Sequence, residues 1–138
     1  MAFWLAIGPV ENWERALEAE GLWGVRERYQ TTWNKVNKGD TLIFYAMKPV
    51  KGVIGHGTIQ SKARDTKPFW PQELKEDRVL WPLRLRVEVS YCLPREKWET
   101  DKVPLPPLSQ GITIQRALQS IKQDVAQGLL RSFRKGKA

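Results

Sequence analysis

The chain has 138 residues, 41% of them hydrophobic and 28% charged, the composition of one globular domain rather than of a disordered segment. Its single cysteine, Cys92, excludes an internal disulfide, and with one histidine, His56, a zinc site built from three or four Cys and His ligands is out of reach. No apolar run approaches the ~20 residues that cross a bilayer, and the apolar start MAFWLAIGPVENW lacks the basic head of a signal peptide. These features predict a cytoplasmic monomer with no membrane association and no cofactor.

In chain order, FWLAI (3–7), closed by Gly8-Pro9, predicts a buried strand. ENWERALEAEG (11–21) predicts a helix with Trp13, Ala16, Leu17 and Glu20 on one face and Gly21 as its stop. LWGV is a short extended piece, and YQTTWNKV forms one or two helical turns ended by the turn signal NKGD. TLIFYAM (41–47) and VIGHGTIQSK (53–62) predict a hairpin-like pair of strands. Gly55 and Gly57 share one strand face, which predicts something bulky crossing there, a packed aromatic or a ligand.

Residues 63–78, ARDTKPFWPQELKEDR, show no sustained periodicity and read as a long polar loop around Phe69-Trp70. PLRLRVEVSY (82–91) alternates strictly. Leu83, Leu85, Val87 and Val89 take the buried face, while Arg84, Arg86 and Glu88 take the other, read as solvated. VPLPPLSQG (103–111) is too rich in proline for regular helix or central strand. Residues 112–133 predict a helix through Leu118, Ile121, Val125 and Leu129, and a basic tail over 134–138 follows a single domain over 1–133. This order implies an α+β fold of mostly antiparallel strands, a strongly curved sheet or partly closed barrel.

Charge is segregated along the chain. Residues 1–23 hold Glu11, Glu14, Glu18 and Glu20 against Arg15 alone, a local −3, so the rest of the chain carries +11 of the net +8. That distribution points to a polyanionic partner, because neutralising phosphates releases counterions. Seven tryptophans exceed what a core of this size requires. One or two beyond the core suffice for a surface on which a base stacks.

The run GLWGVRERYQTTWNKVNKGDTLIFYA, then GVIGHGTIQSK and LWPLRLRVEV, resembles an EVE domain, a small member of the PUA-like superfamily, over roughly residues 3–130. The layout is also similar to YTH domains, which recognise N6-methyladenine in RNA. The resemblance implies a PUA-like pseudo-barrel of mostly antiparallel strands with flanking helices. It also implies recognition of a modified, extruded base of RNA or DNA in an aromatic cage, without catalysis. Carried over by position, it assigns cage walls to Trp23 and Trp70, a base-edge contact to Asn12, and a third apolar wall to Leu80 or Trp81. The nearest basic residues, Arg26, Arg28, Lys62, Arg64 and Lys67, are assigned to phosphates.

The residues alone allow plainer roles. Trp23 is equally a core residue, Trp70 a loop anchor, Asn12 a helix cap and Trp81 structural, while Trp4, Trp13 and Trp33 sit on regular elements as core. Two other functions fit the same chain. One is a hydrolase of modified nucleosides like the ASCH group of the superfamily, which uses lysine and glutamate. The other is an RNA-binding module indifferent to modification. Neither His56 nor Cys92 falls in a recognisable catalytic pattern, and no Walker-type phosphate loop is present.

Overall fold

The computed structural model describes residues 1–106 and 112–135, the side chains of residues 134 and 135 excepted. Six strands form one sheet: β1 Phe3–Gly8, β2 Leu22–Val25, β3 Thr41–Ala46, β4 Gly52–Arg64, β5 Leu83–Cys92 and β6 Leu118–Ser120. Their order is β2-β5-β4-β3-β1-β6. Every neighbouring pair is antiparallel except β1 and β3, which run parallel from Phe3↔Thr41 to Gly8↔Ala46. The flanking helices are α1 Val10–Glu18, α2 Gln30–Lys35, α3 Pro71–Glu76, α4 Trp98–Asp101 and α5 Gln123–Lys135. The result is the α+β, curled half-barrel expected of a PUA-like fold.

The apolar faces of the strands make the core: Leu5, Leu42, Ile43, Phe44, Ile54, Ile59, Leu83 and Leu85 are fully buried. α5 adds Ala126, Leu129 and Phe133. Strand β4 shifts register after His56 and again after Ile59, and such bulges bend a long strand and increase its twist. The bulky neighbour expected at Gly55 and Gly57 is the backbone of β5. A Cβ on either would lie 2.5 Å from a carbonyl oxygen, of Tyr91 or of Glu88.

Three expectations are corrected. Residues 112–133 are not one helix: Leu118–Ser120 pair with Trp4–Ala6 as β6, and the helix begins only at Gln123. Three residues are too few to show alternation, and Leu118 happens to lie in helical register with Ile121 and Val125. The segment 63–78 is not all loop, since β4 runs through Arg64 and Pro71–Glu76 is helical. A helix this short has no visible period. Arg84 does not face solvent: it is buried beneath the segment 65–82. In the proline-rich stretch, Val103 bridges to Val53. Residues 107–111, and 136–138 of the basic tail, lie outside the described residues.

Candidate nucleic-acid interface

The segment between β4 and β5 is organised by one buried carboxylate. Glu73, 0% exposed, sits in the first turn of α3 behind Pro71. Its Oε1 accepts from the backbone N–H of Phe69 (2.8 Å) and Trp70 (3.2 Å), and its Oε2 from Leu80 (2.8 Å) and Trp81 (2.9 Å). The Arg84 guanidinium lies 3.6 Å from Oε1 and also reaches Asp65 and the carbonyls of Lys67 and Trp81. Arg15 of α1 donates to the Phe69 carbonyl at 3.0 Å and stacks over the Phe69 ring. An ionised group in a dry interior needs such partners. These partners fix where the chain carries Trp70 and Trp81.

Four tryptophans converge on that segment. Trp13 and Trp23 stack face to face, with centroids 3.6 Å apart and planes within 9°. Trp70 meets Trp23 edge-on at 6.4 Å and Trp81 edge-on at 5.9 Å. The close fit requires small residues: a Cβ on Gly8 would lie 2.3 Å from the Trp23 ring, and one on Gly24 would lie 2.4 Å from Trp70. Gly8 ends β1 and Trp23 lies on β2, strands that are not neighbours in the sheet. The curl brings them together.

At this meeting point lies a cavity of about 60 Å³. Asn12, Trp23, Trp81, Arg26 and Arg28 all line it, together with Gly8, Tyr29 and Ala117. The buried Asn12 Oδ1 and Trp23 Nε1 make no hydrogen bond within the protein, and neither does Trp70 Nε1. Buried polar atoms are normally partnered, by water or ligand if not by protein. The rim is cationic. Arg26 is exposed above the Trp81 ring at 5.4 Å, and Arg28 is exposed beside Tyr29, whose hydroxyl accepts from Ala117 N–H at 3.1 Å. Arg26, Arg28 and Tyr29 are the only titratable side chains among the described lining residues.

The other candidates stand elsewhere. Trp70 is fully buried behind Trp23 and does not line the cavity, and Leu80 serves through its backbone N–H on Glu73. Asn12 is not the helix cap, since that position is Pro9. Lys62 donates to the carbonyls of Trp33 and Asn34 at 3.1 Å and so closes the end of α2. Arg64 forms a two-point ion pair with Glu27, whose hydrogen bonds from Arg64 hold it below the usual carboxylate range. The Lys67 carbonyl accepts from Arg84, while its side chain is exposed. Trp23 itself is only 3% exposed, so it is a core residue and a cavity wall at once. Glu73 and Arg84 are not among the residues expected at the site, although proline followed two residues later by glutamate is a helix-start signal. Trp13 is core as expected, and its stack on Trp23 adds it to the cavity's support.

Burial pushes the Cys92 thiol up to about 12, and among the described residues no group of His, Cys, Asp and Glu gathers as a metal site. No described helix is long and apolar enough to cross a membrane.

Known proteins resemble this chain in part of its sequence or in its fold. The UPF0310 protein of Pyrococcus abyssi is 38% identical over 45 residues, 33% of this chain and 31% of that protein, so the match spans about a third of the relative's length. The structure of the YTH domain-containing protein Mmi1 with RNA superposes with a TM-score of 0.61 at 12% identity, covering 94% of this chain and 79% of that one. A point mutant of the ASCH protein of Zymomonas mobilis superposes with a TM-score of 0.63 at 10% identity, covering 95% and 98%. At such identities the likeness is one of fold. The model of the EVE domain family matches residues 2–127, nearly the whole chain, and the chain belongs to that family.

Proposed function

We propose that this protein binds single-stranded nucleic acid by holding one extruded, modified base against Trp23, reading its edge with Asn12, and that it does not turn the base over. One observation carries the reading. Two buried polar atoms, Asn12 Oδ1 and Trp23 Nε1, lack protein partners at a cavity walled by tryptophans and rimmed by arginines. The Mmi1 structure, an RNA complex on the same fold, supports nucleic acid as the ligand class.

Magnitudes assign the roles. Extruding a base costs a few kcal/mol, least from a single strand, and stacking on an aromatic wall returns ~1–3 kcal/mol. A buried methyl adds about 0.8 kcal/mol, less than tenfold in affinity. Selectivity therefore needs a polar group that registers the altered base edge, and the Asn12 amide both donates and accepts. Arg26 and Arg28 hold phosphate and contribute affinity without reading sequence. As it stands, 60 Å³ has room for about two waters at ~30 Å³ each. Seating a base therefore requires the lining to open, and the exposed Arg26 and Arg28 side chains are its most solvent-exposed part.

A binding screen over single-stranded RNA and DNA oligonucleotides carrying different base modifications tests the reading. The expected result is preference for one modified base, lost in Trp23→Ala and Asn12→Leu. Equal affinity for all bases contradicts base reading. Mass spectrometry of the recovered ligand is expected to show it unchanged. A deaminated, demethylated or deacylated product would make the protein a hydrolase instead.

A further inference from the structure

A second, wider depression adjoins the Trp23 cavity. It encloses about 600 Å³ and is lined by Tyr45, by Met47, Lys48 and Lys51 of the β3–β4 turn, and by Ile114 facing them. Pro9 lines both depressions. They share a second wall, because the segment that presents Ile114 continues to Ala117 at the cavity, where Ala117 is tied to Tyr29 and its carbonyl accepts from Ile7 N–H at 2.9 Å. The cleft and the cavity thus lie side by side, with Pro9 and the segment from Ile114 to Ala117 along both.

Its chemistry is mixed in a particular way. Met47 and Ile114 are 45% and 55% exposed, two of the few large apolar side chains left in solvent. Lys48 and Lys51 are exposed beside them, and among the described residues neither makes an ion pair. Glu11 is the one carboxylate among the described lining residues. Apolar side chains next to unpaired ammonium groups suit a ligand with a flat apolar face joined to an anion. A strand that gives up one base to the cavity must carry its next nucleotide across the adjoining surface.

We infer that this cleft seats the nucleotide next to the extruded base, its base face on Met47 and Ile114 and its phosphate at Lys48 and Lys51. The inference rests on the base-reading proposal above. It has a consequence that proposal lacks: the protein gains affinity from a neighbouring nucleotide, and this gain is separable from recognition of the modification. The cleft therefore sets the minimum ligand length.

The test uses the intact chain with N6-methyladenosine as a free nucleoside and with adenine hexamers, RNA and DNA, with and without one N6-methyl group. Two double variants remove the cleft's parts: Met47→Ala with Ile114→Ala, and Lys48→Gln with Lys51→Asn. Asparagine is used at position 51 because its φ is +55°, a region asparagine tolerates. All four side chains are exposed, so melting temperatures should hold.

Each double variant is expected to lower hexamer affinity by about fivefold or more, the low end for losing one base contact. The lysine pair alone should also flatten the salt slope, by roughly 0.7 per phosphate released. Nucleoside affinity and any preference for the methylated hexamer should be unchanged. Hexamer affinity within twofold of wild type in both double variants, while Trp23→Ala weakens it, overturns the cleft and leaves the base reading standing. Loss in the cleft variants, with Trp23→Ala and Asn12→Leu without effect, overturns the base reading and leaves the cleft as a nucleic-acid site. A wild-type chain that binds no hexamer, methylated or not, overturns the cleft, and the wider screen above then decides the base reading.

Discussion

Two buried polar clusters lie within a few side chains of each other, and they are finished differently. Around Glu73 the carboxylate is matched, although the Trp70 indole N–H beside it is not: four backbone N–H groups point at the carboxylate, and Arg84 closes the other side. Around Asn12 and Trp23 the fold leaves an amide oxygen and an indole N–H without protein partners. The first cluster spends its polarity on holding a loop in place, and the second keeps its polarity available. The tryptophans connect them, because Trp70 and Trp81 are positioned by Glu73, Trp70 meets Trp23 edge-on, and Trp81 lines the same cavity as Trp23.

The contrast implies effects of very different size on stability. Glu73→Ala removes a buried carboxylate that holds four N–H groups and leaves Arg84 short of a partner. It should cost about 3–5 kcal/mol, as breaking a buried pair does, and Glu73→Gln should cost less. Chemical denaturation checks this, and a loss below about 1 kcal/mol would mean that the loop is held by other contacts. Trp23→Ala should also cost about 3–5 kcal/mol, the range for truncating a buried tryptophan, while abolishing base selectivity. A wall that was not also core would lose selectivity alone.

A smaller effect lies at the other end of β1. Burial pushes the Asp40 carboxyl up, but hydrogen bonds from the Trp4 indole, Ala2 N–H and Asn37 N–H outweigh it, and its value ends below the ordinary 3.8. A carboxyl lowered in the folded state contributes stability that is complete above its unfolded value. That contribution is lost as pH falls through the lower folded value. Melting temperature should therefore decline below about pH 3.8, and Asp40→Asn should reduce that acid-side decline. An unchanged acid limb in Asp40→Asn would show that other carboxylates set it.

Among the cations, Arg26→Ala should leave stability within about 0.5 kcal/mol, as exposed sites usually do. It should flatten the salt slope of binding by roughly 0.7 if one phosphate contact is lost. Arg64→Ala should not change the slope, because Arg64 is already neutralised by Glu27. Equal slopes for the two variants would remove Arg26 from the phosphate contacts.

The strands with clear alternation or a bounded apolar run, around Leu5, Phe44 and Leu85, could be read directly, because burial on one face dictates their spacing. The short pieces could not. Leu118–Ser120 becomes a strand only because β1 offers it an unpaired edge, and nothing in three residues announces that. Arg84 looked solvated because alternation assigns a face without saying what covers it, and here a loop from distant sequence does. At the candidate site, resemblance to a family assigns roles to Trp23, Asn12 and Trp81, and all three line one cavity. Trp70 carries the same residue type in a similar context but lies one layer deeper. Depth is set by the hydrogen bonds of Glu73, which composition does not reveal.

The most direct test of the central claim is Asn12→Leu, with unfolding free energy and relative affinity for modified and unmodified oligonucleotide measured on the same preparation. Replacing a buried amide whose oxygen has no protein partner with an apolar group of similar size should be close to neutral, and the adjoining cavity has room for it. The account predicts unchanged or higher stability together with loss of selectivity. A stability loss above about 1 kcal/mol, or selectivity that survives, would show that Asn12 is partnered after all and that the base is read elsewhere.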